Sequence, residues 1–522
     1  MTKSKFKWDF WTIVTLCTVI IFAVLLVYPL FSLFSTGFQD PTSGSLTFSN
    51  FVKFFQRKYY YKSLLNSFSV TICVTVLAIL VGTPLAYFMT AFKIKGKGLM
   101  EILIIVSMMS PPFIGAYSWV ILGGRNGVLT RFLSWLFHVQ FPSIYGFGGI
   151  LLVLTLKLYP FIYLYVSGAL KKIDSSLSEA AESLGCSSVK KLITIVLPLI
   201  TPTMFAGALM VFMNAFADFG TPMLIGEGFS TMPVRIYDEF INEVGSQANF
   251  AAAMAAIMVI ITTAIFIVQK YIVNKKSFVM NSLHPIQPKK ISGVKNVLMH
   301  TYIYVLVFLS VIPQLTVIYT SFMKTSGQIF VKGFSLDSYK TVMANLGSAI
   351  TNSFVFGAIS ILIIVLLGML IAYITTRRKN WLTGVIDTLT MLPYVIPGSV
   401  LGITLLLAFN KKPFILSGTA AIIIIALVIR RLPYTLRSSS AILYQISPSV
   451  EEASISLGAS PLRTFFKITA IMMLPGVLSG AILSWITLLN ELSSSVILYT
   501  GQTKTMSVAI YSEVIRASYG TA

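Results

Sequence analysis

Residues 158–185 read LYPFIYLYVSGALKKIDSSLSEAAESLG, and residues 431–458 read RLPYTLRSSSAILYQISPSVEEASISLG. At an offset of 273 they place Pro160 on Pro433, Glu179 on Glu452, Ala180 on Ala453, Leu184 on Leu457 and Gly185 on Gly458. The same offset carries Pro202 onto Pro475. Upstream, at an offset of 286, Asn66-Ser67-Phe68 and Ala86-Tyr87 meet Asn352-Ser353-Phe354 and Ala372-Tyr373. Matches held at constant spacing over such lengths mark two copies of one unit. Both copies alternate long apolar runs with short polar segments, so the duplicated unit is a set of membrane spans.

A span needs about 20 apolar residues. Eleven such runs lie near 11–36, 63–92, 99–122, 146–170, 193–216, 248–273, 297–322, 350–376, 384–409, 416–442 and 469–493. The segment NKKSFVMNSLHPIQPKKISGVKN (274–296) is polar, basic and Pro-containing, and divides the chain into halves 1–273 and 297–522 joined by a cytoplasmic linker. The chain of 522 residues is 56% hydrophobic and 11% charged, against roughly 25% charged in soluble domains. That excludes a soluble enzyme, a secreted disulfide scaffold and a disordered chain.

The net charge of +22 reflects topology rather than nucleic-acid binding, because most Lys and Arg fall in short segments between the runs. With the N-terminus inside, cytoplasmic segments carry about one Lys or Arg in four residues and outer segments about one in ten. One basic outer segment, NFVKFFQRKYYYK (50–62), dissents. The N-terminal MTKSKFKWDFW precedes an apolar run with no small-residue cleavage site, which reads as an uncleaved first span. Cys17, Cys73 and Cys186 form no CxxC and point to neither a disulfide nor a metal site. His138, His284 and His300 are scattered, and no nucleophile–base constellation accompanies them.

The expected fold is an all-α polytopic membrane protein of two parallel repeats, about six transmembrane helices each. Such repeats are related by a pseudo-twofold axis along the membrane normal, with a pathway at their interface. The second repeat shows only five runs. MPVRIYDEF (232–240) leads into a sixth span in the first repeat, whereas its counterpart MSVAIYSEV (506–514) is followed by IRASYGTA. The pattern predicts one further helix of roughly 25–35 residues beyond Ala522.

In the first repeat, the loop DSSLSEAAESLG has the makings of a short exposed cytoplasmic helix. Asp and Ser open it and can cap its free N–H groups, and acidic side chains early in the helix meet the positive end of its dipole. Ala180, Ala181 and Ser183 let another surface approach closely, Gly185 ends the helix, and Lys190 and Lys191 mark the membrane border. EAAESLGCSSVKKLITIVLPLITP (179–202) and EEASISLGASPLRTFFKITAIMMLP (451–475) resemble the EAA motif of permeases from ATP-binding-cassette importers. The first copy matches at Glu179, Gly185, Ile195, Leu197 and Pro198. The second keeps Glu452, Ala453, Gly458 and Ile468, with Ser454 for the second Ala and Ile471 for the Pro.

The resemblance implies that Glu179, Ala180, Ala181, Gly185, Glu452, Ala453 and Gly458 belong to two coupling helices that dock on ATPase subunits. The chain holds no G-x-x-x-x-G-K-[ST], so it has no phosphate cradle of its own. ATP and Mg would sit on two partner ATPase subunits, with no cofactor on this chain.

Ionisable residues inside spans are functional candidates. Lys157 and Arg430 align at the repeat offset, each roughly 20 Å from the cytoplasmic end of its span. They can meet an anionic cargo, or hold helix carbonyls beside Pro160 and Pro433. Arg431 and Arg437 share the second helix. Asp218 and Glu491 also align, at the outer ends of the fifth spans. They can receive a hard cation, which prefers oxygen ligands, or pair with basic residues of a docking receptor.

DFGTPMLIGEGFSTMPVRIYDEF and ELSSSVILYTGQTKTMSVAIYSEV are similar to the fused, double-length permeases of ferric-iron importers. That similarity implies halves folded like molybdate- and methionine-type permeases in a bacterial inner membrane, with an extracytoplasmic substrate-binding protein docking outside. The carboxylates favour ferric iron as cargo, and the matched cations favour a phosphonate, sugar phosphate or other small anion. An ion-coupled secondary transporter of two six-span repeats is the alternative from another class.

Overall fold

The computed structural model describes residues 9–108, 112–140, 142–241, 248–275, 288–327 and 329–522. Residues 276–287, most of the expected linker, lie outside the described residues, as do residues 1–8. Among the described residues, eight helices are long and apolar enough to cross a membrane, or ten if each of two bent pairs is one span. The one regular sheet among them is a hairpin of Met323–Ser326 with Ile329–Phe334.

Three of the eleven apolar runs differ from simple spans; the run 99–122 is one of the two bent pairs, and the other two differ for readable reasons. The run 384–409 is bent by 112° between Trp381–Val395 and Gly398–Phe409. Ile396 is extended there, as a residue before Pro397 must be. The run 416–442 is the helix Ala420–Gln445, whose length suffices for a span but which carries Arg430, Arg431 and Arg437.

The chain forms two compact units. Unit 1 comprises residues 1–53, 236–259 and 339–522, and unit 2 comprises 54–235 and 260–338. These units cut across the sequence halves, because each takes its first span from the other repeat. In unit 1 the first span, Phe10–Gly37, lies against second-repeat helices. The Trp11 ring sits 4.2 Å from that of Tyr373 and 4.9 Å from that of Phe465, and the Tyr28 hydroxyl donates to the Ala408 carbonyl at 3.3 Å. In unit 2 the span Val294–Ser321 lies against first-repeat helices. The Tyr302 hydroxyl donates to Val81 O at 2.7 Å, and the Tyr159 and Ser310 hydroxyls meet at 2.9 Å.

Within each unit the helix that bears the internal cations packs against its neighbours where small residues let backbones approach. In unit 2, Phe147–Leu170 meets Lys58–Ala91 at Gly82, where an added Cβ would lie 2.8 Å from Ile162. In unit 1, Ala420–Gln445 meets Ala470–Leu489 at Gly480, where an added Cβ would lie 2.6 Å from the Thr435 backbone. Lys157, Arg430 and Arg431 are thereby kept among protein helices, as ionisable groups in a membrane require. The outward faces carry exposed Ile13, Ile20, Phe31, Leu80, Leu362 and Ile482, a lipid-compatible surface.

A π-helical turn opens the fifth span of both repeats, at Leu192–Val196 and Phe465–Thr469, related by the same offset of 273. Such turns recur at functional positions. Here each directly follows an EAA segment.

Candidate functional site

The two EAA segments form helices Ser175–Ser183 and Pro448–Ser456. Asp174 caps the first by accepting from Ser176 N at 3.0 Å, and Ser447 caps the second. Each ends on a glycine of positive φ, Gly185 at 76° and Gly458 at 88°, a conformation that favours a residue without Cβ. The next N–H closes the turn: Cys186 N donates to Ala181 O, and Ala459 N to Ser454 O. Both helices then present a bare leucine, Leu184 at 86% and Leu457 at 89% exposure. Ala181 is buried, Ala180, Ala453 and Glu452 are exposed, and the Glu179 side chain lies outside the described residues.

What lies behind the helices differs. In the first, Glu182 accepts from Lys191 and, at 3.2 Å, from Lys289. Hydrogen bonds from Lys191 and then Lys289 hold its carboxyl below the usual range. Lys289 is positioned by backbone bonds to the end of the second span, Lys289 N to Ala91 O and Lys93 N to Lys289 O. In the second helix, Glu451 is buried and accepts from the Tyr373 hydroxyl and from Arg377 Nε, both at 3.0 Å. Arg377 also donates through Nη2 to Ile446 O at 2.7 Å.

The charges within the spans form pairs inside each repeat. Lys157 Nζ lies 2.6 Å from Asp218 Oδ2, and Asp218 Oδ1 accepts from Thr221 N at 2.8 Å. Arg430 Nε lies 3.3 Å from Glu491 Oε2, and Arg431 donates to the same oxygen. Glu491 Oε1 accepts from Ser494 N and Oγ, each at 3.1 Å. Both acids therefore do two things: neutralise an internal cation and fix the first turn of the short helix after the fifth span, Gly220–Ile225 or Ser495–Leu498. Arg437 pairs with Asp387 at 2.9 Å.

Sequence alignment matched cation with cation and acid with acid across the repeats. The structure instead brings Lys157 to Asp218 and Arg430 to Glu491. The sequence signal for this was the separation of 61 residues between cation and acid, identical in both repeats. Among the described residues no three His, Cys, Asp or Glu side chains gather as a metal group. The Glu451–Arg377–Tyr373 cluster and the Glu182–Lys289 tie were not anticipated.

The family described as "Binding-protein-dependent transport system inner membrane component" matches residues 60–278 and 364–521. The chain is 28% identical over 518 residues to the ferric transport system permease protein FbpB of Actinobacillus pleuropneumoniae, covering 97% of this chain and 74% of that protein. It is 27% identical to the putative ferric transport system permease protein FbpB 1 of Haemophilus influenzae, covering 94% and 78%. A shorter match, 30% over 169 residues, joins it to the spermidine/putrescine permease PotB of Escherichia coli, covering 32% of this chain and 62% of PotB. Among solved structures, a bacterial ABC transporter that imports the acidic polysaccharide alginate matches at 17% identity and a TM-score of 0.42, over 50% of this chain and 94% of that one.

Proposed function

This chain belongs to the inner-membrane components of binding-protein-dependent transport systems, and from that premise we propose that it carries ferric iron inward. It is a multi-pass permease subunit of an ATP-binding-cassette importer, and a substrate-binding protein and an ATPase complete such a system. The observation that carries the cargo is the similarity, over 97% and 94% of the chain, to two permeases named for ferric transport. The anion alternative loses its support at Lys157, which Asp218 neutralises within its own repeat, while Arg430 shares the single carboxylate of Glu491 with Arg431.

Two ATPase subunits fit the chain, one for each EAA helix, with the N-terminus on their cytoplasmic side. Leu184 and Leu457 would enter a groove of each ATPase, where burying a leucine contributes about 1.5–3 kcal/mol. ATP and Mg, bound by the partners, supply the energy. Closure of the partners draws the two EAA helices along, and the repeats alternate access to the cargo.

The test is reconstitution of this chain with its ATPase and binding protein in liposomes. Radiolabelled ferric iron should accumulate only with ATP and the loaded binding protein. Glu179→Gln with Glu452→Gln should uncouple ATP hydrolysis from the binding protein. A chain that copurifies with no ATPase and moves solute on an ion gradient would sink the importer reading. A complex that imports a phosphonate and not ferric iron would sink the cargo alone.

A further inference from the structure

Ferric iron is a small, highly charged ion that prefers hard oxygen donors. In this chain the repeat-matched carboxylates, Asp218 and Glu491, already hold Lys157 and the Arg430–Arg431 pair. Phenol oxygens are another hard donor that a protein can offer. MPVRIYDEF and MSVAIYSEV are copies of one segment, and they place Tyr237 and Tyr511 at the same position of helices Met232–Ile241 and Met506–Ile515. Both tyrosines belong to unit 1, and their hydroxyl oxygens meet at 3.3 Å. That hydroxyl pair joins one copy of the segment to the other. In transporters built from two repeats, cargo sites lie where the repeats meet.

Tyr237 is buried and Tyr511 half-buried. Asp238 and Tyr499 lie within electrostatic reach of both phenols. The two phenols of the copies thus meet directly, with one carboxylate and a third phenol in their electrostatic surroundings. We propose that Tyr237 and Tyr511 form a ferric-ion contact where the two copies of the repeat meet, closed in this structure by the hydrogen bond between the two hydroxyls. This rests on the ferric cargo proposed above. When the ion enters, the two phenol O–H bonds break and their protons leave to water. Two iron–oxygen bonds form, and the iron stays ferric throughout. As the ion leaves, the phenols take protons back and the hydroxyl pair closes again.

The test uses the purified permease–ATPase complex, without binding protein, titrated with ferric nitrilotriacetate. Phenolate bound to ferric iron gives a visible charge-transfer band. The unsubstituted complex should show it, Tyr237→Phe and Tyr511→Phe should each weaken it, and the double variant should lose it. Losing a group that merely supports a metal ligand costs about 10–100-fold in affinity, so losing two ligands should cut ferric uptake in liposomes at least about tenfold. Tyr319→Phe, at an exposed site on another helix, should change neither readout. Copurification with the ATPase reports that each variant folds, and the single variants keep the test decisive if the double variant does not. A missing band in the unsubstituted complex, or unchanged uptake in the double variant, overturns the tyrosine site alone. Absence of any ferric uptake by the unsubstituted complex overturns the cargo reading as well.

Discussion

The EAA helices of the two repeats share a cap, a length, a terminal glycine and a bare leucine, yet each is held by bonds that the other lacks. The first, Ser175–Ser183, hangs on Glu182, a 42% exposed carboxylate tied to Lys191 and to Lys289, itself 69% exposed. The second, Pro448–Ser456, is fixed through Glu451 and Arg377, only 11% and 13% exposed, with the Tyr373 hydroxyl completing the cluster. Tyr373 in turn stacks on Trp11 and Phe465, so this cluster continues into the packed interior of its unit. Exposed ion pairs contribute about 0–1 kcal/mol, whereas breaking a buried one costs several. Two helices with the same outward face thus differ in stiffness. A push on the second passes directly into the helix Gly347–Arg377. A push on the first passes through side chains that solvent can loosen.

The sharpest way to break this comparison is Glu451→Ala, which leaves the Arg377 guanidinium without its carboxylate in a largely buried place. It should cost about 3 kcal/mol, read as faster hydrogen exchange over residues 448–456 and a lower unfolding temperature in detergent. The reversed pair, Arg377→Glu with Glu451→Arg, should recover part of the loss. The matching cut in the first helix, Glu182→Ala, should do much less, because its carboxylate is solvent-exposed. Equal effects at the two positions would erase the mechanical difference. Tyr373→Phe is the milder cut, removing one hydrogen bond worth about 1 kcal/mol, while Tyr87→Phe at the equivalent position should leave the exchange of residues 175–183 unchanged.

The EAA helices themselves were legible because their determinants are local. Asp174 or Ser447 starts each, and Gly185 or Gly458 ends each at positive φ. The spans were legible for the same reason, since length and apolarity can be read residue by residue. Partners were not. Glu451 meets Arg377 across 74 residues and Lys157 meets Asp218 across 61, and such pairings depend on which helix faces become neighbours. The exchange of first spans between units was hidden similarly, because an apolar run does not record the helix on which it packs. The bend at Ile396 was readable and missed: Pro393 and Pro397-Gly398 stand in the middle of one apolar run.

A graft sharpens the comparison from the other side. At the repeat offsets, Arg377 corresponds to Ala91 and Glu451 to Ser178. Ala91→Arg with Ser178→Glu transplants the two residue types of the pair onto the corresponding positions of the first repeat. The helix should gain about 1 kcal/mol, seen as slowed exchange over residues 175–183, and neither substitution alone should reproduce it. If the double variant exchanges as fast as the native chain, stiffness comes from the buried surroundings of Tyr373 rather than from the pair.

The smallest effect belongs to Lys289→Ala. Its bond to Glu182 is exposed at both ends, so its removal should speed exchange of the first EAA helix less than threefold and only at low salt, where screening is weak. Acid should act in the same place. The folded-state carboxyl of Glu182 is lowered by hydrogen bonds from Lys191 and Lys289. Its contribution is therefore complete above the ordinary carboxylate range and is lost as pH falls through the lowered value. Glu451 and Arg377 are largely buried, so raised salt should leave their helix unchanged. A salt or acid response of equal size in residues 175–183 and 448–456 would show that both helices are held by solvent-exposed charge, and the asymmetry would be gone.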